Sequence, residues 1–215
     1  MTTSELSPGA ADALLFDLGR VVLDIDFSKA LSCWAAHADC AASDIAARFV
    51  RDDAYRRHEM GAMSDADYFE SLRASLGIGI SDAQLLEGWN AIFAGEVPGI
   101  APLLTRAAGQ TPLYAFSKTN RPHVEYFSKA YAGILGHFRE LFLSSTIGLR
   151  KPDAAAYDHV IKAIGAPAGR IVFFDDLAEN IEGARVRHRR HSRQIRRRRR
   201  KRAGSAWNLG VLPWP

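Results

Sequence analysis

The sequence predicts an α/β fold, in which a doubly wound parallel sheet carries a helical-bundle cap inserted after the first strand. Short apolar runs that each end in a polar residue recur along the chain and indicate buried strands. From Pro98 onward these runs alternate with segments of helical pattern, which is typical of a parallel sheet covered on both faces. Residues 28 to 95 differ, because they are rich in Ala, Leu and aromatic residues and contain no comparable strand pattern.

The first strand lies within residues 13 to 23, which read ALLFDLGRVVL. The apolar run Leu14-Leu15-Phe16 predicts a strand buried on both faces, and Asp17 ends it. Gly19 then allows the chain to turn.

Residues 28 to 95 are predicted to form the cap. Ser64 and Ser81 each precede an acidic or amide residue by three positions, which predicts capping boxes at the starts of two cap helices. We therefore divide the chain into a core domain at 1–27 and 96–184, a helical cap at 28–95, and an atypical Arg-rich segment at 185–215.

The second half of the chain predicts the remaining core elements. Helices are expected over residues 102–108, 122–131 and 154–164, and strands over residues 113–116, 140–143 and 170–174. Polar residues follow three strands of the core, namely Asp17, Ser117 and the pair Asp175-Asp176, and a loop supplies Lys151. Open α/β sheets bind ligands beyond the carboxyl ends of their strands, so we expect these side chains to form a site.

These residue types predict phosphoryl chemistry. Carboxylates that share one sheet edge repel each other, and a hard divalent cation such as Mg²⁺ makes the arrangement tolerable. A lysine and a hydroxyl beside them would hold a phosphate or another anion. A carboxylate at such a metal can itself be the nucleophile and pass through an acyl-phosphate.

Four motifs give a more specific resemblance. FDLGRVVLDID, AFSKTN, GLRKPD and VFFDDLAENIEGA, in this order, resemble the four motifs of the haloacid dehalogenase superfamily over residues 13 to 184. The resemblance implies a Rossmann-like core with a small bundle cap, as in the phosphatase and dehalogenase branches. Within the superfamily, the sequences of these motifs most closely resemble those of the bacterial sugar-phosphate phosphatases that act on α-D-glucose 1-phosphate.

The resemblance implies a role for each motif residue. Asp17 would be the nucleophile and a Mg²⁺ ligand, Ser117 would hydrogen-bond the transferring phosphoryl group, and Lys151 would neutralise its charge. The expected metal set is Asp17, the Gly19 carbonyl, Asp176 directly, and Asp175 directly or through water, with Asn180 orienting the acidic loop.

Substrate binding is expected from Lys118, Asn120 and His58, of which His58 is the cap candidate. Two positions depart from the superfamily pattern. Gly19 stands where most phosphatases of the superfamily carry a second Asp as general acid and base, and Lys118 stands where Asn commonly follows the serine. The sugar-phosphate branch also lacks the second Asp, and Asp24, Asp26 or cap residues are candidate substitutes.

The charge of the chain is divided unevenly. Residues 185 to 202 hold 12 of the 28 Lys and Arg residues and none of the 24 Asp and Glu residues, so the rest of the chain is acidic by eight charges. The run Arg196 to Arg200 is open to three interpretations: a nucleic-acid-binding arm, a solvated disordered segment, or a shifted reading of a GC-rich gene. We favour the third interpretation for residues 185 to 205, because the predicted fold would have another apolar strand there. Resequencing of the gene tests this hypothesis.

Composition sets the remaining expectations. Two cysteines without nearby His pairs do not predict a zinc site, and no signal-peptide or membrane-span pattern is found, so we expect a cytoplasmic protein. The predicted function is a Mg²⁺-dependent phosphatase acting on a small phosphorylated metabolite, such as a sugar phosphate. A metal-free haloacid dehalogenase and a non-catalytic relative that binds nucleic acid remain as alternatives, although we do not expect nucleic acid or a membrane as a partner.

Overall fold

In the computed structural model, residues 11–186 are described, and their centre is a four-stranded parallel sheet in the order β5-β4-β1-β6. The core strands are β1 (Ala13–Phe16), β4 (Leu113–Ser117), β5 (Glu140–Leu143) and β6 (Ile171–Phe174). The register pairs Leu15 with Tyr114 on one side and with Phe173 on the other. The doubly wound α/β fold predicted from the sequence is confirmed.

Helices cover both faces of the sheet. The core helices are α6 (Ile100–Ala108), α7 (Arg121–Ala130), α8 (Ala132–Leu135), α9 (Ser144–Ile147), α10 (Ala154–Ile164) and a helix over residues 178–186. Successive strand residues point to opposite faces, so Phe16 packs with Leu104 and Phe127 on one side, while Leu15 packs with Tyr157 on the other. Each predicted core helix and strand is found within two residues of its expected bounds.

The cap is a five-helix insertion with its own core. Its helices are α1 (Phe27–Ala38), α2 (Ala42–Arg48), α3 (Asp53–Glu59), α4 (Asp65–Leu76) and α5 (Asp82–Ala91). Trp34 and Trp89 stack at the centre of this second core with their ring centroids 5.7 Å apart. Ser64 and Ser81 cap α4 and α5 as predicted, and Ser81 forms a complete capping box with Gln84.

The junction between core and cap contains a two-stranded antiparallel sheet that the sequence did not predict. It pairs β2 (Leu23–Ile25) with β3 (Phe93–Glu96). The all-helical description of residues 28–95 therefore needs correction at its end, because β3 pairs with the strand that leads into the cap. The predicted Arg-rich segment, 185–215, lies outside the described residues except for 185 and 186, which are helical.

Candidate active site

Three neighbouring strands bring the predicted site residues to one edge of the sheet. Asp17 follows β1, Ser117 ends β4, and Asp175 and Asp176 follow β6. Because β1 lies between β4 and β6, the acidic pair and the serine stand on either side of Asp17. The backbone N–H of Asp17 donates to the carbonyl of Phe174 over 2.8 Å, which fixes the start of this loop against β6.

Lys151 joins two of the carboxylates. Its Nζ lies 3.0 Å from Asp17 Oδ1 and 2.6 Å from Asp175 Oδ2, and its side chain is fully buried. The rings of Phe116 and Phe173 lie 5.1 and 5.4 Å from the same nitrogen. A buried ammonium needs paired carboxylates to offset its lost hydration, so these contacts hold the lysine in one position.

Asp175 is saturated with hydrogen bonds. Its Oδ1 accepts hydrogen bonds from the backbone N–H of Leu177 over 2.9 Å and from Asn180 Nδ2 over 2.8 Å. Its Oδ2 accepts a hydrogen bond from Lys151 Nζ. The amide of Asn180 thus hydrogen-bonds both carboxylate oxygens of Asp175. Asp176 is exposed beside it and contributes to the cavity described below.

The donor set fits a divalent cation. Ligand oxygens of Asp17, Asp175 and Asp176 lie within 4.8 Å of one another. Three carboxylates and the single ammonium of Lys151 leave a formal charge of −2, which a divalent cation would neutralise. Burial raises the pKa of Asp17, the charge of Lys151 opposes this rise, and the charge of Asp175 adds to it. Burial, followed by the charge of Asp175, also raises the pKa of Asp176.

A cavity of about 310 Å³ opens between the sheet edge and the cap. Its base contains Asp17, Gly19, Ser117 and Asp176 from the core. Its roof comes from the cap, including Tyr55 from α3. The volume falls in the range typical of small-molecule sites.

The residues predicted to bind substrate have different placements. Lys118 lines the cavity, and its Nζ lies 3.4 Å from Glu179. Asn120 also lines it, but its side chain caps α7 by accepting from the backbone N–H of His123 over 3.1 Å. His58 is not part of the lining: its ring is buried, stacks on Tyr68 at 4.2 Å, and hydrogen-bonds Asp65 over 2.9 Å.

Asp24 and Asp26, two of the candidate substitutes for a second catalytic Asp, lie outside the cavity lining. Asp26 is the N-cap of α1 and accepts from the backbone N–H of Ser28 over 3.0 Å. Asp24 is exposed on β2, and neither residue is part of the cavity lining.

Glu59 and Arg150 form a cavity element that was not among the predicted site residues. The Arg150 guanidinium lies 2.9 Å from the buried carboxylate of Glu59, and both residues line the cavity. Burial raises the pKa of Glu59, and the charge of Arg150 opposes that rise. The signal was present in the sequence, since Glu59 adjoins the predicted His58 and Arg150 adjoins Lys151 in its motif.

The cap rests on the core next to this pair. The Ser144 hydroxyl donates to the Glu59 carbonyl over 2.7 Å and accepts from the Thr119 N–H over 2.8 Å. Gly61 (φ +67°) lies so close to Ser145 that a Cβ would collide with the Ser145 carbonyl. This close approach positions the end of α3 over the cavity.

A buried histidine supports the other side of the cavity. His123 on α7 donates from Nε2 to the Trp89 carbonyl over 2.9 Å, and its Nδ1 accepts from Asn120 Nδ2 over 3.1 Å. We assign these roles because Asn120 uses its oxygen to cap α7. Burial lowers the pKa of His123 to about 4, opposed by the bond to the Trp89 carbonyl. The neutral ring thus connects core helix α7 to cap helix α5.

The fold and the site define a capped α/β hydrolase with a buried aspartate–lysine pair. The sequence model of the haloacid dehalogenase-like hydrolases matches residues 11–186, and the chain belongs to this family. The family resemblance read from the four motifs is therefore confirmed, whereas no comparison singles out the glucose 1-phosphate branch.

Three curated relatives are similar to the chain. Drimenol cyclase of Aspergillus calidoustus is 27% identical over 80% of this chain and 32% of its own length. Enolase-phosphatase E1 of Stenotrophomonas maltophilia is 37% identical over 41% of this chain and 38% of its own length. Sesquiterpene phosphatase of Aspergillus oryzae is 25% identical over 81% of this chain and 85% of its own length. The chain thus spans about a third of the length of the first two relatives.

The fold is shared with a solved structure of a family enzyme from Bacteroides thetaiotaomicron, in complex with magnesium and inorganic phosphate. The TM-score is 0.73 at 22% identity, with 83% of this chain and 91% of the other covered. Among residues 11–186, no helix combines the length and the apolar character that a membrane span requires.

Proposed function

We propose that the protein is a Mg²⁺-dependent phosphomonoesterase that cleaves a small phosphorylated substrate through an aspartyl-phosphate intermediate. The observation that carries this proposal is the contact of buried Lys151 with Asp17, at 3.0 Å, beside the acidic pair at the end of β6. Ser117 and Asp176 line the same cavity as Asp17. The residues that we assign to the nucleophile, the phosphate and the metal, namely Asp17, Ser117 and Asp176, thus line one cavity.

In the first step, the Asp17 carboxylate attacks the phosphorus in line with the ester oxygen. The new bond joins an Asp17 oxygen to phosphorus, and the bond from phosphorus to the ester oxygen breaks. The Leu18 N–H, at 2.8 Å, and Lys151 both contact Oδ1, so we assign the attack to Oδ2. Ser117 and Lys151 would stabilise charge on the phosphoryl oxygens as the transfer proceeds.

In the second step, a water molecule attacks the phosphorus of the aspartyl-phosphate and releases Asp17 and inorganic phosphate. The complete reaction consumes one water and yields one alcohol and one phosphate. The leaving oxygen must gain a proton, and Gly19 provides no acid for it. Solvent protonation is then sufficient mainly for leaving oxygens of low basicity, because general acid catalysis typically contributes about 10²- to 10⁴-fold.

Asp17, Asp176 and the Gly19 carbonyl are the residues that we assign to Mg²⁺, whereas Asp175 acts through water. Both Asp175 oxygens already accept bonds from Lys151 and Asn180, which supports the indirect role. When bound, Mg²⁺ supplies positive charge that offsets the carboxylates and the phosphoryl group.

The relatives support a phosphorylated small-molecule substrate. Two of the three carry phosphatase names, and the sesquiterpene phosphatase aligns over most of both chains. The sugar phosphate expected from the sequence and a terpenoid phosphate suggested by this relative are both members of that class. A cavity of about 310 Å³ suits a small substrate.

A phosphatase assay with and without Mg²⁺ tests the proposal. We expect p-nitrophenyl phosphate hydrolysis that depends on Mg²⁺ and falls at least about 10³-fold in Asp17→Asn. Asp44→Asn, an exposed change on α2, is the matched control and should retain activity. Acid quenching during turnover should trap a phosphoryl group on Asp17. Equal activity of wild type and Asp17→Asn would refute the mechanism.

The same assay separates the alternatives. A metal-free haloacid dehalogenase would release halide from a 2-haloacid without Mg²⁺, yet the exposed carboxylate of Asp176 adds negative charge that such chemistry does not use. The nucleic-acid-binding alternative depends on the Arg-rich segment, most of which lies outside the described residues.

A further inference from the structure

Beyond its phosphate-binding end, the cavity is lined mainly by apolar side chains. They come from strand β2, from cap helices α1 and α5, from the junction after α5, and from core helix α7. The lining includes the apolar side chains of Ile25, Phe27, Trp89, Ile92, Phe93 and Phe127, in addition to Leu18, Leu23 and Leu177. Whatever is attached to the phosphate therefore meets hydrocarbon and aromatic surface.

Three charged side chains of the lining, Glu59, Lys118 and Arg150, are held in ion pairs, whereas Arg20 and Arg51 are exposed. Glu59 is held by Arg150 at 2.9 Å, so the charges of both groups are compensated within the wall. Lys118 lies 3.4 Å from Glu179. A hydroxyl that competed for these groups would have to break an existing ion pair.

Two uncharged polar residues of the lining, Asn120 and His123, are also engaged. Asn120 bonds the backbone and the ring of His123, and both ring nitrogens of His123 have partners. Trp89 Nε1 is buried and has no hydrogen-bond partner within residues 11–186. This indole N–H could serve one acceptor of a ligand, and the other lining atoms of this kind, Glu59 Oε2 and Arg150 Nε, belong to the ion pair between those two residues.

We propose that the leaving group of the substrate is a hydrocarbon body, aromatic or isoprenoid, rather than a sugar. This inference rests on the phosphatase function proposed above. An apolar body gains free energy from leaving water for this wall. Sugar hydroxyls that faced the apolar side chains of this wall would be buried without partners, and an unmade hydrogen bond of this kind costs roughly tenfold or more in affinity.

A substrate panel tests the proposal directly. The panel consists of 1-naphthyl phosphate, geranyl phosphate and α-D-glucose 1-phosphate, assayed for kcat/KM with the full chain and Mg²⁺. At least one hydrocarbon ester should exceed the sugar ester by about tenfold or more. The two hydrocarbon arms distinguish a flat aromatic body from a flexible isoprenoid one. A kcat/KM for glucose 1-phosphate equal to or above both hydrocarbon esters would overturn the proposal.

A pair of variants at one lining residue sharpens the test. Phe27 lines the cavity and is partly exposed. Phe27→Gln should lower the hydrocarbon-to-sugar ratio of kcat/KM several-fold, whereas Phe27→Leu should largely keep it. The ratio is independent of the folded fraction of each preparation, because both substrates are assayed on the same enzyme. An unchanged ratio in Phe27→Gln would contradict an apolar recognition wall.

Binding to the inactive variant separates this inference from the proposed function. Asp17→Asn retains the cap and the apolar wall, so calorimetry with Mg²⁺ should show tighter binding of 1-naphthyl or geranyl phosphate than of glucose 1-phosphate. Tighter sugar binding overturns the leaving-group assignment alone. A wild-type enzyme that hydrolyses none of the three esters, nor p-nitrophenyl phosphate, overturns both proposals.

Discussion

Replacing His123 by glutamine removes a titratable ring that the fold keeps neutral between the core and the cap. The ring is buried, stacks on Trp89 with centroids 5.2 Å apart, and meets Phe93 edge-on at 5.2 Å. Protonating Nδ1 would place a second N–H against the Asn120 amide group, which already donates to this nitrogen in our assignment. Protonation is therefore strongly disfavoured in the folded protein.

The size of the expected stability loss follows from the difference between the His123 pKa in the folded chain and that in the unfolded chain. The His123 pKa is about 4 in the folded chain, compared with 6.5 for an ordinary histidine. Between these values the unfolded chain binds more protons, so stability decreases as the pH falls from about 6.5 toward about 4. Taking 1.36 kcal/mol per pKa unit, we expect His123 to lower the free energy of unfolding by about 2 kcal/mol when the pH falls from about 7.5 to about 5.

Urea denaturation at both pH values measures this loss. The free energy of unfolding of wild type should fall by about 2 kcal/mol more than that of His123→Gln, because all other groups titrate in both proteins. His159→Gln, an exposed change on α10, is the control and should follow wild type. If His123→Gln and wild type lose the same free energy on acidification, the ring is not held neutral and the reasoning fails.

Two glycines give further predictions. Gly61→Ala should lower the free energy of unfolding by about 2 kcal/mol or more in chemical denaturation, because φ is +67° and the new Cβ would collide with the Ser145 carbonyl. Gly79→Ala, where a Cβ meets no atom within 4 Å, is the control, and equal losses would contradict the steric argument. Gly19→Asp should raise kcat for alkyl phosphates about tenfold or more, since its Cβ meets only ordinary contact with Ile25 at 3.5 Å and its carboxyl supplies the missing acid. Hydrolysis of p-nitrophenyl phosphate, whose leaving group needs no proton, should change little, and an equal gain on both substrates would argue against an acid role.

Much of the core could be predicted because its signals are local. Each strand is a short apolar run closed by a polar residue, and parallel pairing then determines where those polar residues meet. Asp17, Ser117 and the acidic pair are brought to one sheet edge for this reason. The fully buried Lys151 comes from a loop, where neither periodicity nor hydrophobicity predicts that its side chain is buried.

The cap was predicted less well, because its functional faces depend on tertiary packing. On the short helix α3, His58 turns inward to stack on Tyr68, while its neighbour Glu59 reaches the cavity. For a helix of only two turns, the sequence alone does not show which residues face the cap interior and which face the cavity. Strand β3 was missed because its four residues, FAGE, include a glycine and gain strand structure only by pairing with β2.

The pairing of β2 with β3 has a mechanical consequence for the cap. The chain enters the cap through β2 and leaves it through β3, so the two covalent links are joined side by side into one hydrogen-bonded ribbon. A domain joined to the core by two unpaired segments can rotate and translate in several directions. Two hydrogen-bonded strands resist sliding past each other and bend most easily perpendicular to the plane of the sheet. We therefore expect motion of the cap to follow the bending direction of this ribbon, which would keep Tyr55 and Glu59 aligned above Asp17.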